Sequence, residues 1–150
     1  MGAPSREAGE YLDYLMGVPP EDARAFYRAL DPGAMHALMA RARRELGSPW
    51  GFWQRDPCGF AEDVLRIGLW SGQRVIFESV RDHVRTAVPA THAPGKSLSA
   101  AALLLWWGSV WPLGTAQAVT TAPKMRQVKN ILWPYIRRLH VRAGLPGVVQ

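Results

Sequence analysis

The sequence predicts an α/β fold, with a helical N-terminal region over residues 1–55 and an incomplete parallel sheet over residues 56–150. The first third of the chain carries apolar side chains at helical spacing. Two later segments, residues 86–89 and 116–121, have the short, β-branched composition of strands. The apolar segment 97–107 between them is typical of a buried helix. Because a helix between parallel strands forms a right-handed βαβ unit, we expect one such unit followed by a last helix.

Helix ends in the N-terminal region can be read from the local sequence. Apolar residues at positions 11, 12, 15 and 16 predict a helix that ends at Gly17. Pro20, followed by two acidic residues, is typical of a helix start. Asp31 and Pro32 predict an N-cap and the first residue of a third helix, which Gly47 should end.

Further helices are predicted beyond residue 55. The pattern favours a short helix over residues 59–67 and a longer one over residues 72–84, which Ser71 could cap. The last helix should start at Pro123 and end at Gly144. Pro134 lies inside it, so we expect a kink or a restart there.

Charge is distributed unevenly along the chain. The net charge is +6, yet all twelve Asp and Glu lie between Glu7 and Asp82, and eight Lys or Arg follow them. A basic half indicates an anionic partner, such as a nucleotide or a nucleic acid. The single Cys58 excludes an internal disulfide and favours a reducing cytosol.

Neither a signal peptide nor a membrane span is expected. Residues 1–9 are polar and carry no apolar core of a signal peptide. Residues 98–113 are strongly apolar, but Gly108 and Pro112 interrupt the run well before the roughly 20 residues that a spanning helix needs.

Gly95-Lys96-Ser97, after the first predicted strand, has the layout of a phosphate-binding loop. Backbone N–H groups at such a loop and helix start face an anion, and lysine adds a positive charge. A serine hydroxyl in this position can ligate Mg²⁺. Two positions depart from the pattern: Ala90 stands where the first glycine is required, and Pro94 has no N–H to donate. Alone, the motif is equally compatible with a plain turn.

Two more positions could contact a nucleotide. The Gln73 carboxamide can accept from and donate to an adenine edge, and an aromatic residue beside it, Trp70, could cover the ring. His92, inside the loop, could contact a phosphate or only shape the loop. The scattered histidines exclude a zinc site at the usual spacings, and no nucleophile motif is present.

Basic residues crowd the last helix, where they could neutralise the phosphates of DNA or form an ordinary solvated face. They are Lys124, Arg126, Lys129, Arg137, Arg138 and Arg142.

In four stretches the chain resembles the large subunit of double-stranded-DNA bacteriophage terminases, the genome-packaging motors. These stretches are DPCGFAEDVL from Asp56, LWSGQRVIFES from Leu69, TAVPATHAPGKS from Thr86 and TTAPKMRQVKNILWPYIRRLHVRAGLPG from Thr120. The resemblance spans about residues 50–147 and implies a P-loop ATPase fold. It implies ATP and Mg²⁺ as cofactors, with double-stranded DNA, the terminase small subunit and the portal protein as partners. The bacterial host cytoplasm would be the location.

The resemblance also assigns roles to residues. Gln73 matches the adenine-reading glutamine, Lys96 the phosphate-binding lysine and Ser97 the magnesium ligand; His92, Ala93 and Gly95 belong to the same loop.

The acidic groups that such an ATPase needs are missing from this sequence. A P-loop ATPase requires an acid to hold Mg²⁺ and a carboxylate to orient the attacking water. The resemblance implies that both lie after the phosphate-binding loop, and no Asp or Glu follows Asp82. We therefore expect a truncated terminase large subunit, residues 56–150 being the N-terminal half of the ATPase domain, ending before the Walker B acid and the nuclease domain. Nucleotide binding is expected, without hydrolysis or nuclease activity. The alternative is a non-catalytic module that binds DNA or a protein partner through the basic C-terminal helix.

Overall fold

The computed structural model describes residues 8–89, 95–147 and 149, and within these ranges the protein is helical. The helices are α1 Ala8–Gly17, α2 Pro20–Ala29, α3 Pro32–Leu46, α4 Pro57–Gly59, α5 Ser71–Asp82, α6 Lys96–Val110, α7 Met125–Gln127 and α8 Trp133–Ala143. A 3₁₀ turn spans Gly51–Trp53. A π-helical segment, Phe60–Val64, continues α4, and a second, Val128–Leu132, joins α7 to α8.

The predicted α/β fold is wrong for the described part of the chain, which contains no β-strand and no sheet. Residues 86–89 and 116–121 have irregular backbone. Most of their side chains are exposed, including Val88 at 41% and Val119 at 75% of full exposure. Strand propensity reflects packing on a half-buried pleated surface beside a hydrogen-bonded neighbour. Neither segment has such a neighbour among the described residues, so no βαβ unit and no parallel sheet forms there.

Contacts between α-carbons divide the chain into two compact units. The first comprises Met1–Arg55 and Ser109–Ala116; the second comprises Asp56–Gly108 and Gln117–Gln150.

The first unit is built from α1, α2 and α3, as the helical spacing predicted. Aromatic rings connect its helices: Tyr14 and Phe26 lie 4.8 Å apart between centroids, and Tyr27 meets Trp53 edge-on at 5.0 Å. Leu38 of α3 is fully buried. Aromatic pairs of this kind add about 0.5–1.5 kcal/mol each beyond the area that they bury, so these rings help to hold the helices of the first unit together.

The ends of α3 confirm two local predictions. The carboxylate of Asp31 accepts hydrogen bonds from the N–H groups of Gly33, at 2.8 Å, and Ala34, at 2.9 Å. Gly47 ends the helix in the left-handed conformation, with φ 75°. Both ends therefore follow from residues within one turn of the boundary.

The second unit has its own core around the fully buried Phe60, Leu65 and Phe77. The predicted helix over residues 59–67 begins earlier, at Pro57, and is largely π-helical. The expected cap of α5 by Ser71 is wrong, because Trp70 is the N-cap residue and Ser71 lies in the first turn.

α6 continues the second unit and buries Ala101, Ala102 and Trp106. Of α8, Ile136 and Leu139 are buried. Among the described residues, no helix combines the length and the apolarity needed to cross a membrane.

Candidate functional site

A cavity of about 560 Å³ lies in the second unit, between the start of α5, residues 86–89 and the first turn of α6. Its described lining is mostly apolar, with neutral polar groups and one cation. The lining residues are Trp70, Gly72, Gln73, Val75, Ile76, Ser79, Thr86, Ala87, Val88, Pro89, Lys96 and Ser99. Sites for small molecules typically measure about 300–1,000 Å³ and combine apolar walls with a few polar groups. The cavity therefore has the size and lining of a small-molecule site.

The Trp70 indole folds over the start of α5 at one side of the cavity. A Cβ atom at Gly72 would lie 2.1 Å from the Trp70 ring, so only glycine allows the indole to rest on this backbone. Trp70 remains 54% exposed. A large aromatic surface at the edge of a cavity is suited to stacking on a flat ligand.

Gln73 connects α5 to α6. Its side chain is 4% exposed. Its Nε2 donates to the Ser99 hydroxyl at 3.0 Å, and its Oε1 accepts a longer hydrogen bond, 3.4 Å, from the Trp70 backbone N–H. A carboxamide has two N–H donors and two acceptor lone pairs. One of each is therefore engaged within the protein, and one of each remains for a ligand.

Gly95 has two reasons to be glycine. Its φ is +88°, and a Cβ atom there would lie 2.5 Å from Gln73 Nε2. The left-handed conformation disfavours residues with a Cβ atom, and the close contact excludes one. Gln73 and the Gly95 backbone, 22 positions apart in the sequence, are thus brought together at the start of α6.

Lys96 and Ser97 open α6, and of the two only Lys96 reaches the 560 Å³ cavity. Lys96 lines the 560 Å³ cavity, together with Gln73. Ser97 lines a separate cavity of about 290 Å³ between α6, residues 121–122 and the second π-helical segment, and Lys96 borders this one too. The predicted loop residues His92 and Ala93 lie outside the described residues. Of the predicted site, the structure brings Gln73, Gly95 and Lys96 together and places Ser97 at the neighbouring cavity.

Ser99 is the polar site residue that the sequence prediction missed. It is 3% exposed and contacts Gln73 across 26 sequence positions. No local motif marks it, because only the approach of α5 to α6 gives its hydroxyl a partner.

The described lining of the large cavity contains no carboxylate. Across the described residues, no group of three or more His, Cys, Asp or Glu is arranged to hold a metal ion. The Ser97 hydroxyl, the expected magnesium ligand, borders the other cavity. The described residues on the cavity wall therefore offer no carboxylate ligand to Mg²⁺, which proteins usually bind through one or two carboxylates together with substrate phosphates.

Five of the six basic residues predicted on the last helix are exposed and carry no ion pair with any described acid: Lys124, Arg126, Lys129, Arg137 and Arg138. Arg142 differs, because its guanidinium donates to the Leu65 carbonyl just after the first π-helical segment. A cation at a helix C-terminus satisfies an otherwise unpaired carbonyl. Arg142 therefore has a structural role. The other five are exposed basic residues of the segment from Lys124 to Arg138, and together they are called the exposed basic surface here.

Comparisons with models of known protein families, with curated proteins and with solved structures give no match to this chain. The resemblance to terminases stays a prediction from sequence motifs, and the candidate site depends on the geometry described above.

Proposed function

We propose that the second unit binds an adenine nucleotide in the 560 Å³ cavity and does not hydrolyse it. The observation that supports this proposal is the convergence of Trp70, Gln73 and Lys96 on one largely apolar cavity.

Each of the three groups matches one part of a nucleotide. Trp70 offers an aromatic face to the base, and the remaining N–H and lone pair of Gln73 match the acceptor and donor of an adenine edge. Guanine presents two acceptors at the same positions, so one carboxamide pairs with it less well. The Lys96 ammonium, at the start of a 15-residue helix, supplies charge for a phosphate.

A P-loop ATPase hydrolyses its nucleotide with acids that the terminase resemblance places after the phosphate-binding loop. No Asp or Glu follows Asp82, and the described cavity wall has no carboxylate to orient a water molecule. The phage context, and the DNA, small-subunit and portal partners implied by the terminase resemblance, remain predictions.

Equilibrium binding of ATP, ADP and AMP to the purified chain, by calorimetry, tests the proposal. We expect adenine nucleotides to bind more tightly than guanine nucleotides, and Lys96→Ala to weaken binding about 10-fold or more through loss of a charge-assisted contact. Lys124→Ala, which removes an exposed lysine from outside the cavity, is the matched control and should bind as the wild type does. Equal losses in both variants, or no binding by the wild type, would reject the proposal.

A second function is favoured by the exposed basic surface. Positive side chains that are not paired with acids can neutralise the phosphates of a nucleic acid and release its counterions. We propose that these five residues bind double-stranded DNA without regard to sequence.

DNA affinity measured across a salt series tests this second proposal. Replacing Arg137 and Arg138 together by alanine should weaken binding and reduce the slope of log affinity against log salt by up to about two. The control is the double replacement of Arg43 and Arg44, two adjacent exposed arginines of α3, which removes the same charge from the first unit. If both double variants lose affinity alike, or if affinity does not depend on salt, the basic surface is not a DNA-binding site.

A further inference from the structure

We infer that the 560 Å³ cavity holds a nucleoside monophosphate without a divalent cation, and that Ser99 is the serine on which binding depends. This inference rests on the proposed nucleotide binding and specifies its ligand. The phosphate-binding motif alone leads to a different expectation, a magnesium–triphosphate complex held with the help of Ser97.

The positions of the two serines support the inference. Ser97 and Ser99 both lie in the first turn of α6, separated by one residue, but they face different cavities. Ser99 lines the cavity that contains Gln73 and Lys96, and its hydroxyl accepts from the Gln73 carboxamide. Ser97 lines the smaller cavity next to Thr121 and Gln127. A metal ion on a phosphate beside Gln73 would therefore lack its expected hydroxyl ligand.

The positive charge on the described cavity wall is closer in size to the charge of one phosphate than to that of three. Lys96 is the sole cation among the described lining residues. It contributes one positive charge, and the start of α6 adds about half a charge. One phosphate monoester carries about −1.5 to −2 at neutral pH. A triphosphate carries two further phosphates, whose charge is normally offset by Mg²⁺ and its carboxylate ligands, and the described cavity wall has no carboxylate.

Ser99 acts by positioning Gln73. Its hydroxyl engages one Nε2 hydrogen, which leaves the second Nε2 hydrogen and one Oε1 lone pair in a fixed orientation. Without the hydroxyl, the buried carboxamide loses a partner and can rotate. Ser99 is therefore expected to affect base preference as well as affinity.

The decisive experiment compares AMP and ATP binding to the wild-type chain, once with excess Mg²⁺ and once with excess EDTA. AMP affinity should change by less than about twofold between the two conditions, and AMP should bind at least as tightly as magnesium–ATP. Tightening of about 10-fold or more by Mg²⁺, or a clear preference for magnesium–ATP, would overturn the inference while leaving nucleotide binding intact. If neither nucleotide binds under any condition, the proposed function itself fails.

The two serines provide a matched pair of variants. Ser99→Ala should weaken AMP binding about 5- to 10-fold and reduce the preference for AMP over GMP, as expected for the loss of one buried hydrogen bond. Ser97→Ala should leave AMP affinity unchanged. A larger loss in Ser97→Ala than in Ser99→Ala, with both variants folded by circular dichroism, would overturn the assignment. The metal comparison uses the wild-type chain, so it remains decisive if Ser99→Ala does not fold.

Discussion

Arg66 adopts a backbone conformation that its side chain disfavours. Its φ is 56°, in the left-handed region, where it ends the first π-helical segment. The backbone N–H of the next residue, Ile67, donates to the Ala61 carbonyl at 3.0 Å, so the turn is fixed by a hydrogen bond. Arg66→Gly should raise the free energy of unfolding by about 0.5–1 kcal/mol, because glycine removes the Cβ repulsion but adds freedom to the unfolded chain. Urea denaturation measures the change.

Gly144 is the matched control for this prediction. It ends α8 with φ 60°, and nothing lies within 4 Å of a Cβ atom built there. Gly144→Ala should therefore lower stability by about 1 kcal/mol through backbone strain alone. If both substitutions shift the urea midpoint in the same direction, the left-handed conformation does not decide stability at these two positions.

For Gln73, the sequence indicates a possible role in ligand binding but not the burial or the hydrogen-bond partner of its side chain. Its glutamine side chain and its place before Gly95-Lys96 made it a predicted ligand-binding residue. That it is buried and hydrogen-bonded to Ser99 could not be predicted, because the partner lies on another helix. Residue type indicates which chemistry is possible, whereas the fold determines how many donors and acceptors remain for a ligand.

At the scale of elements, the N-cap of α3 is a defined contribution to stability. Asp31 accepts two backbone N–H groups that otherwise have no partner within the helix. Asp31→Ala should destabilise the protein by about 1 kcal/mol, whereas Asp31→Ser should retain most of the stability. Thermal unfolding of the two variants at equal concentration measures this difference. Equal losses would mean that the carboxylate acts through charge and not as a hydrogen-bonded cap.

Several helix ends could be predicted from the sequence, whereas the lack of a sheet in the described residues could not. Asp31, Gly47 and Gly144 act within one turn of their helix ends, so a short stretch of sequence contains the whole cause. A strand needs a neighbour whose position depends on the entire fold. Residues 86–89 and 116–121 have strand-like composition but no strand neighbour in the described structure, and so the α/β prediction failed there.

Pro134 interrupts the last helix, as expected for a proline inside a helix. The sequence does not specify that the interruption takes the form of a π-helical segment. It lies at the start of α8, directly after the π-helical segment Val128–Leu132. Proline has no N–H for the carbonyl four residues earlier and clashes with it. The wider turn, in which the Trp133 N–H donates to the Val128 carbonyl, accommodates this clash. A kink or a restart was expected, and a change of helix type is the form it takes.

For the whole molecule, the net positive charge lies entirely in one of the two compact units. The first unit contains seven Lys or Arg and seven Asp or Glu, whereas the second contains eleven and five. The entire net charge of +6 therefore belongs to the second unit, which also carries the cavity and the exposed basic surface. An electrostatic field concentrated in this way attracts anionic ligands to one unit and weakens with added salt.

The overall helical content provides the last prediction. Helical residues make up 67% of the part that the structure describes, with no strand in that part. Infrared spectra of the amide I band and far-ultraviolet circular dichroism should therefore show a dominant helical signal and little strand component. The predicted βαβ unit would instead place residues 86–89 and 116–121 in strands, and the spectra would contain their contribution. Isotope-edited spectra with ¹³C-labelled valine separate the two cases, because Val88 and Val119 lie in these two segments. A strand-type shift of the labelled band that is lost in Val88→Ala and Val119→Ala would contradict the irregular, strand-free backbone of these two segments.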